Sequence, residues 1–120
     1  MSLGQFSISL SVKDIRASRD FYLKLGFEIL DDHETEKWMI LRKDDAVVGL
    51  FQGMFPRNML TFNPADVRAI QRGLKANGLK LDAEADESTS GPAHVMLTDP
   101  DGNPILIDQH DPNYKPTSKK

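Results

Sequence analysis

Three histidines and a set of carboxylates are the residues of this chain best suited to acid–base or metal chemistry. His94 and His110 stand near the C-terminal end, with Asp108 two residues before the second of them. If the segments that carry them pair as a hairpin closing at Asp101-Gly102, their ends lie side by side. Whether they share a face depends on one residue of register, because strand side chains alternate. A shared face would gather His94, Asp108 and His110 into a small acid–base or metal cluster. The alternative is a strand-end histidine hydrogen-bonded at the surface. His33 follows Asp31-Asp32 in a charged turn and reads as a solvated loop histidine. The chain has no cysteine, which excludes disulfides and thiolate metal sites and suits a reducing, cytoplasmic setting.

A second group is hydroxylic and aromatic. Phe6 to Val12 alternates strictly, so Ser7, Ser9 and Ser11 lie opposite Ile8, Leu10 and Val12. By the same alternation Met59 and Thr61, Val47, Gly49 and Phe51, and Leu106 and Asp108 join the serine side. The expected surface has apolar walls, a few hydroxyls and one carboxylate, the usual makeup of a small-ligand pocket. Asp108 is its candidate general base. Trp38 is expected to anchor the strands or rim the pocket. Met54-Phe55-Pro56-Arg57 places a large aromatic beside an arginine, which suits a dimer contact, a lid or a hinge.

The elements that position these residues come in two copies. Asp14-Ile15-Arg16-Ala17 … Gly26-Phe27 recurs as Asp66-Val67-Arg68-Ala69 … Gly78-Leu79, at a constant offset of 52 residues. In the first copy Phe6 to Val12 is a strand, and Asp14 caps a helix that Gly26 ends. Phe27 to Leu30, Trp38 to Leu41 and Ala46 to Phe51 then read as strands. In the second, Met59 to Phe62 is a strand and Pro64 fits the start of a helix carrying Val67, Ile70 and Leu74 inward. Leu79 to Ala83 is a weak strand, Glu84 to Gly91 a solvated loop, and His94 to Thr98 and Pro104 to Asp108 the last strands. The Asp99-Pro100-Asp101-Gly102-Asn103 turn joins them. Each copy is thus a βαβββ unit, and roughly 50 residues are too few to be stable alone.

Bulk composition limits the partners. Among 120 residues the net charge is −3, with no clustered basic stripe, which argues against nucleic acid. No apolar run approaches membrane-spanning length, and no signal pattern opens the chain.

With both copies laid out, the chain resembles the vicinal oxygen chelate superfamily of glyoxalases, bleomycin-resistance proteins and extradiol dioxygenases. The resemblance is carried by Leu10-Ser11-Val12-Lys13-Asp14, Ser18, Phe21-Tyr22, Leu25-Gly26-Phe27 and Asp99-Pro100-Asp101-Gly102-Asn103-Pro104-Ile105, and spans residues 5–110. Gly49 to Gly53 and Asn58 to Pro64 are similar to a largely uncharacterised group of small bacterial glyoxalase-like proteins. Those carry a longer stretch before the second helix. Here Pro64 leads straight into Ala65-Asp66, which would shorten one wall of the cavity.

The resemblance implies an α+β fold of two tandem βαβββ units, a curved mixed sheet with a helix behind each half. It implies one glyoxalase-like domain over 1–110, with units at about 5–53 and 58–110, and a homodimer, while the polar, proline-bearing residues 111–120 read as a flexible tail. Enzymes of the superfamily hold a divalent ion with a ligand on the first and last strand of each unit. Those positions fall here on Ser7, Gly49, Met59 and Leu106, which are not a ligand set for such an ion. The expectation is therefore a metal-independent small-molecule-binding protein with no cofactor, its ligand site formed by Ser7, Ser9, Ser11, Trp38, Gly49, Phe51, Met59, Thr61 and Leu106. One alternative is a glyoxalase-like lyase or isomerase, using Asp108 as a carboxylate base or a non-standard metal on His94, Asp108 and His110. Another is a bleomycin-type drug-binding resistance protein, to which a net charge of −3 gives little help.

Overall fold

A computed structural model describes residues 2–116. The backbone divides into two compact units, Ser7–Asn58 and Met59–Tyr114, the second also taking the opening residues through Phe6. Among the described residues there are two α-helices and seven strands, with parallel and antiparallel pairs in each unit, an α+β fold of the expected class. Neither helix is long and apolar enough to cross a membrane.

In the first unit β1 (Gln5–Val12) leads through α1 (Ile15–Lys24) into a meander of β2 (Glu28–His33), β3 (Trp38–Lys43) and β4 (Ala46–Gln52). The strand order is β2-β3-β4-β1, antiparallel except that β4 runs parallel to β1. Asp14 starts the helix as its composition demands: Oδ1 accepts from the N–H groups of Arg16 and Ala17 at 3.1 and 3.2 Å. Such a cap contributes about 1 kcal/mol. Gly26, at a φ of 106°, reverses the chain after it. Ile15, Met39, Leu41, Val48 and Leu50 form the buried core, with Ile8, Leu10, Val12 and Tyr22 packed around it. These alternates turn to α1; Ser7, Ser9, Ser11, Trp38, Gly49 and Phe51 turn away from it.

The second unit contains β5 (Met59–Asn63), α2 (Val67–Ala76), β6 (Ala93–Thr98) and β7 (Pro104–Gln109), ordered β5-β7-β6. β5 and β7 are parallel, β6 and β7 antiparallel. Asp66 caps α2 through the Ala69 N–H at 3.1 Å. Val67, Ile70 and Leu74 then pack on Val95, Leu97 and Ile107. The repeat extends to a detail: the Ile15 N–H donates to Gln52 Oε1 and the Val67 N–H to Gln109 Oε1, both at 2.9 Å.

Three expectations are corrected. β2 runs on to His33 rather than stopping at Leu30, with a register shift between Ile29 and Asp31. Leu79 to Ala83 forms no strand, only an isolated bridge between Ala83 and Met96. Lys80, Asp82 and Glu84 leave that stretch only Leu81 and Ala83 to bury, too little to hold a full edge strand. Glu84 to Gly91 is not simply a solvated loop, because side chains of α2 hold it. Arg68 Nε and Nη1 donate to the carbonyls of Asp86 and Gly91 at 2.8 and 2.9 Å, and Nη2 to Thr89 Oγ1 at 2.8 Å. The Gln71 amide brackets Ala85, donating to its carbonyl and accepting from its N–H. Of the expected tail, Asp111 to Tyr114 forms a turn closed by the Tyr114 N–H on the Asp111 carbonyl; 117–120 lie outside the described residues.

Candidate functional site

Strand register in the first unit lays two rows of side chains across the face turned away from α1. One is Ser9–Gly49–Ile40–Asp31 and the other Ser11–Phe51–Trp38–His33, each residue opposite the next on the neighbouring strand. The second row is aromatic. His33 stacks on Trp38 with centroids 4.1 Å apart and planes 9° from parallel. Trp38 and Phe51 are parallel at 6.1 Å, and Phe55 tilts onto Phe51 at 5.2 Å. Phe55 is drawn in from the segment after β4: Ser11 Oγ donates to its carbonyl at 2.8 Å, while the Ser11 N–H donates to Asn58 Oδ1 at 2.9 Å. Gly49 makes room for the row, since a Cβ there would stand 2.6 Å from the Phe51 ring. Ser7 and Ser9 are buried, at 8% and 4% exposure, while Ser11, Trp38 and Phe51 remain half-buried.

The row ends in charge. His33 is no solvated loop residue: Nε2 lies 2.9 Å from Oδ1 of Asp31, itself only 4% exposed, and Nδ1 lies 3.2 Å from Glu36 Oε1. Desolvation is the largest single influence on this imidazole and lowers its pKa. The hydrogen bond and charge of Glu36, with those of Asp31, together outweigh it, so the pKa is raised above the ordinary 6.5. A pKa raised on folding stabilises the fold in full below the unfolded value of 6.5 and ceases to do so as pH rises through the folded value. Stability measured against pH should therefore fall across that window in the wild type, and His33→Gln should remove this component; an identical slope in both proteins would refute the linkage.

The second unit gathers the other residues singled out. Thr61 lies opposite Leu106, Leu106 opposite Met96, and Asp108 opposite His94. The register thus puts His94 and Asp108 on one face. Met59 and Thr61 are buried there, Leu106 and Asp108 half-buried, and His94 exposed. Asp108 Oδ2 pairs with His110 Nε2 at 3.2 Å. Asn63 Nδ2 donates to the Asp108 carbonyl at 2.8 Å and lies 3.2 Å from the same histidine nitrogen. Among the described residues no group of three or more His, Cys, Asp or Glu side chains is arranged to hold a metal ion.

At Ser7, Gly49, Met59 and Leu106, the positions where the resemblance implies metal ligands, the chain offers a hydroxyl, a hydrogen, a thioether and a hydrocarbon. This set holds neither imidazole nor carboxylate and does not fit a divalent ion. Two surface clefts of the first unit, of about 620 and 680 Å³, lie apart from the aromatic row. One runs past Lys13, Arg16, Glu34 and Lys37, the other past Arg19, Leu23, Phe27 and Asp32.

Sequence reasoning read His33 as a solvated loop residue and gave Asp31 no role. The two alternate on an edge strand, a signal masked by the register shift after Ile29 and by charges that resemble a turn. Phe55, singled out for a dimer contact, a lid or a hinge, lies against Phe51 at the end of the aromatic row.

Comparison with known proteins is consistent with this architecture. The family model of the Glyoxalase/Bleomycin resistance protein/Dioxygenase superfamily matches residues 4–107. Among solved structures, a member of that superfamily from Vibrio splendidus 12B01 has a TM-score of 0.64 at 22% identity, covering 87% of this chain and 97% of its own. An NAD-dependent benzaldehyde dehydrogenase from Legionella pneumophila has a TM-score of 0.70 at 16% identity, covering 88% and 99%. Homoprotocatechuate 2,3-dioxygenase from Arthrobacter globiformis gives 0.59 at 18% identity, with 96% of this chain matched to 40% of that one. No curated protein matches the chain. At such identities the structural likeness is one of fold.

Proposed function

This chain belongs to the glyoxalase/bleomycin resistance protein/dioxygenase superfamily, and from that premise we propose that it is a metal-independent small-molecule-binding protein for flat, apolar-to-amphipathic compounds. The observation that carries the reading is the aromatic row Trp38–Phe51–Phe55, beside the small side chains of Ser11 and Gly49. Parallel rings with hydroxyls at hand suit a flat ligand that stacks and makes one or two hydrogen bonds. The donor set Ser7, Gly49, Met59 and Leu106 supports metal independence. We read the working form as a cytoplasmic homodimer, which light scattering would check as twice the chain mass.

The test uses the single tryptophan as its own reporter. A panel of flat aromatic compounds is titrated against EDTA-treated protein while Trp38 fluorescence and melting temperature are followed. A ligand at 100 times its dissociation constant stabilises by about 2.7 kcal/mol. Phe55→Ala should weaken any binder by about 2- to 12-fold, the equivalent of one aromatic contact of roughly 0.5–1.5 kcal/mol. Binding that disappears with EDTA and returns with a divalent ion would sink metal independence.

The Asp108–His110 pair supports a second reading, a lyase or isomerase with a carboxylate base. Under that reading Asp108→Asn abolishes turnover, and turnover that survives the change dismisses it.

A further inference from the structure

Both ring nitrogens of His33 face carboxylates, Nε2 toward Asp31 and Nδ1 toward Glu36. A neutral imidazole has one N–H and can satisfy only one of them; an imidazolium satisfies both. The same ring lies flat on Trp38, the position in which an indole face attracts a cation. An aromatic floor, a buried carboxylate at one edge and an exposed one at the other are the parts of a receptor for a flat cation. Here the chain's own side chain occupies it. Two other carboxylates nearby have partners of their own. Asp32 Oδ1 accepts from the Glu34 N–H at 3.0 Å, and Glu34 pairs with Arg16 at 2.8 Å and Arg19 at 2.5 Å. Along its row β4 presents only Phe51, which carries no charge. Among the described residues, Asp31 and Glu36 are the carboxylates within ion-pair distance of the imidazole.

We propose that the Trp38 face binds a flat organic cation that keeps its charge at neutral pH, an amidinium or guanidinium, and that His33 is its gate. Protonated, His33 fills the place between Asp31 and Glu36; neutral, it gives up one carboxylate and yields the indole face. The inference rests on the ligand-binding reading of that face and names its ligand class. It also fixes a direction. An amidinium keeps its charge as pH rises while its internal competitor loses one, so binding tightens with pH, by up to about tenfold per unit, the limit for a single displaced proton.

Benzamidine, cationic throughout, is titrated against the full chain from about pH 5.5 to 8.5, with Trp38 fluorescence as the signal. Wild-type affinity is expected to climb across that range. His33→Ala, its fold checked by circular dichroism, is expected to bind about as tightly at the low end as the wild type does at the high end. Adding Glu36→Gln should weaken that binding several-fold. A folded His33→Ala that binds no better than wild type at low pH overturns the proposal, as does wild-type affinity that is flat with pH. If neutral flat compounds quench Trp38 and benzamidine does not, the cation inference falls and the ligand-binding reading stands. If neither class binds, both fall.

Discussion

Arg68→Met is expected to lower the stability of the chain by about 3 kcal/mol, the scale of losing more than one hydrogen bond from a charged donor. Methionine keeps the apolar stem and removes only the guanidinium. Arg68 is 8% exposed, and its guanidinium joins α2 to two backbone carbonyls and a hydroxyl between Asp86 and Gly91. Without it the loop loses its main tie, and Gln71, itself fully buried, must hold Ala85 alone. Urea unfolding gives the energy, and limited proteolysis should show new cleavage within 84–91. The exposed ion pairs Arg72–Glu87 and Lys75–Glu84 are expected to compensate little, since such pairs contribute about 0–1 kcal/mol. A loss below about 1 kcal/mol with no new cleavage would mean that the loop holds itself.

Replacing Gln52 or Gln109 by methionine should cost about 1–3 kcal/mol in each case, the penalty for leaving a buried backbone donor without an acceptor. Ile15 and Val67, whose N–H groups these amides receive, are 3% and 0% exposed. The two bonds belong to separate units and share no atoms, so the double variant should lose close to the sum. Unequal single costs would show that the repeat is one of sequence more than of energetics. Chemical denaturation of the three variants decides this.

These glutamines show where the sequence was legible. The aspartate caps and the glycines after the helices recur at a fixed offset and were visible as such. Gln52 and Gln109 are 57 residues apart, outside that offset, so one equivalent interaction was hidden by a length difference. Alternation in β1 sorted serines from core residues correctly, because every second side chain packs on α1. It failed in β2, where the shift after Ile29 breaks the period and Asp31 and His33 look like a turn. The stretch Leu79 to Ala83 failed for the opposite reason: the repeat suggested a strand, but the residues there had little to bury. Burial of the candidate residues was not legible either. Ser9 is buried and stands opposite Gly49, where a Cβ would strike the Phe51 ring, an arrangement set by strand pairing that no local pattern encodes.

The division of the backbone inside β1 sets an order of events during synthesis. Leu3 and Phe6 are made before the residues they meet: Leu3 packs on the core built from α2 and its strands, and Phe6 lies against Phe62 with ring centroids 5.3 Å apart. On the ribosome these early residues have no place to go until more than fifty later ones have emerged, while the strands from Ser7 to Asn58 can already pair. Nascent chains would thus carry a loose apolar segment until Met59 to Tyr114 has been made, the stage at which an unpaired segment is most open to chaperones and to wrong partners.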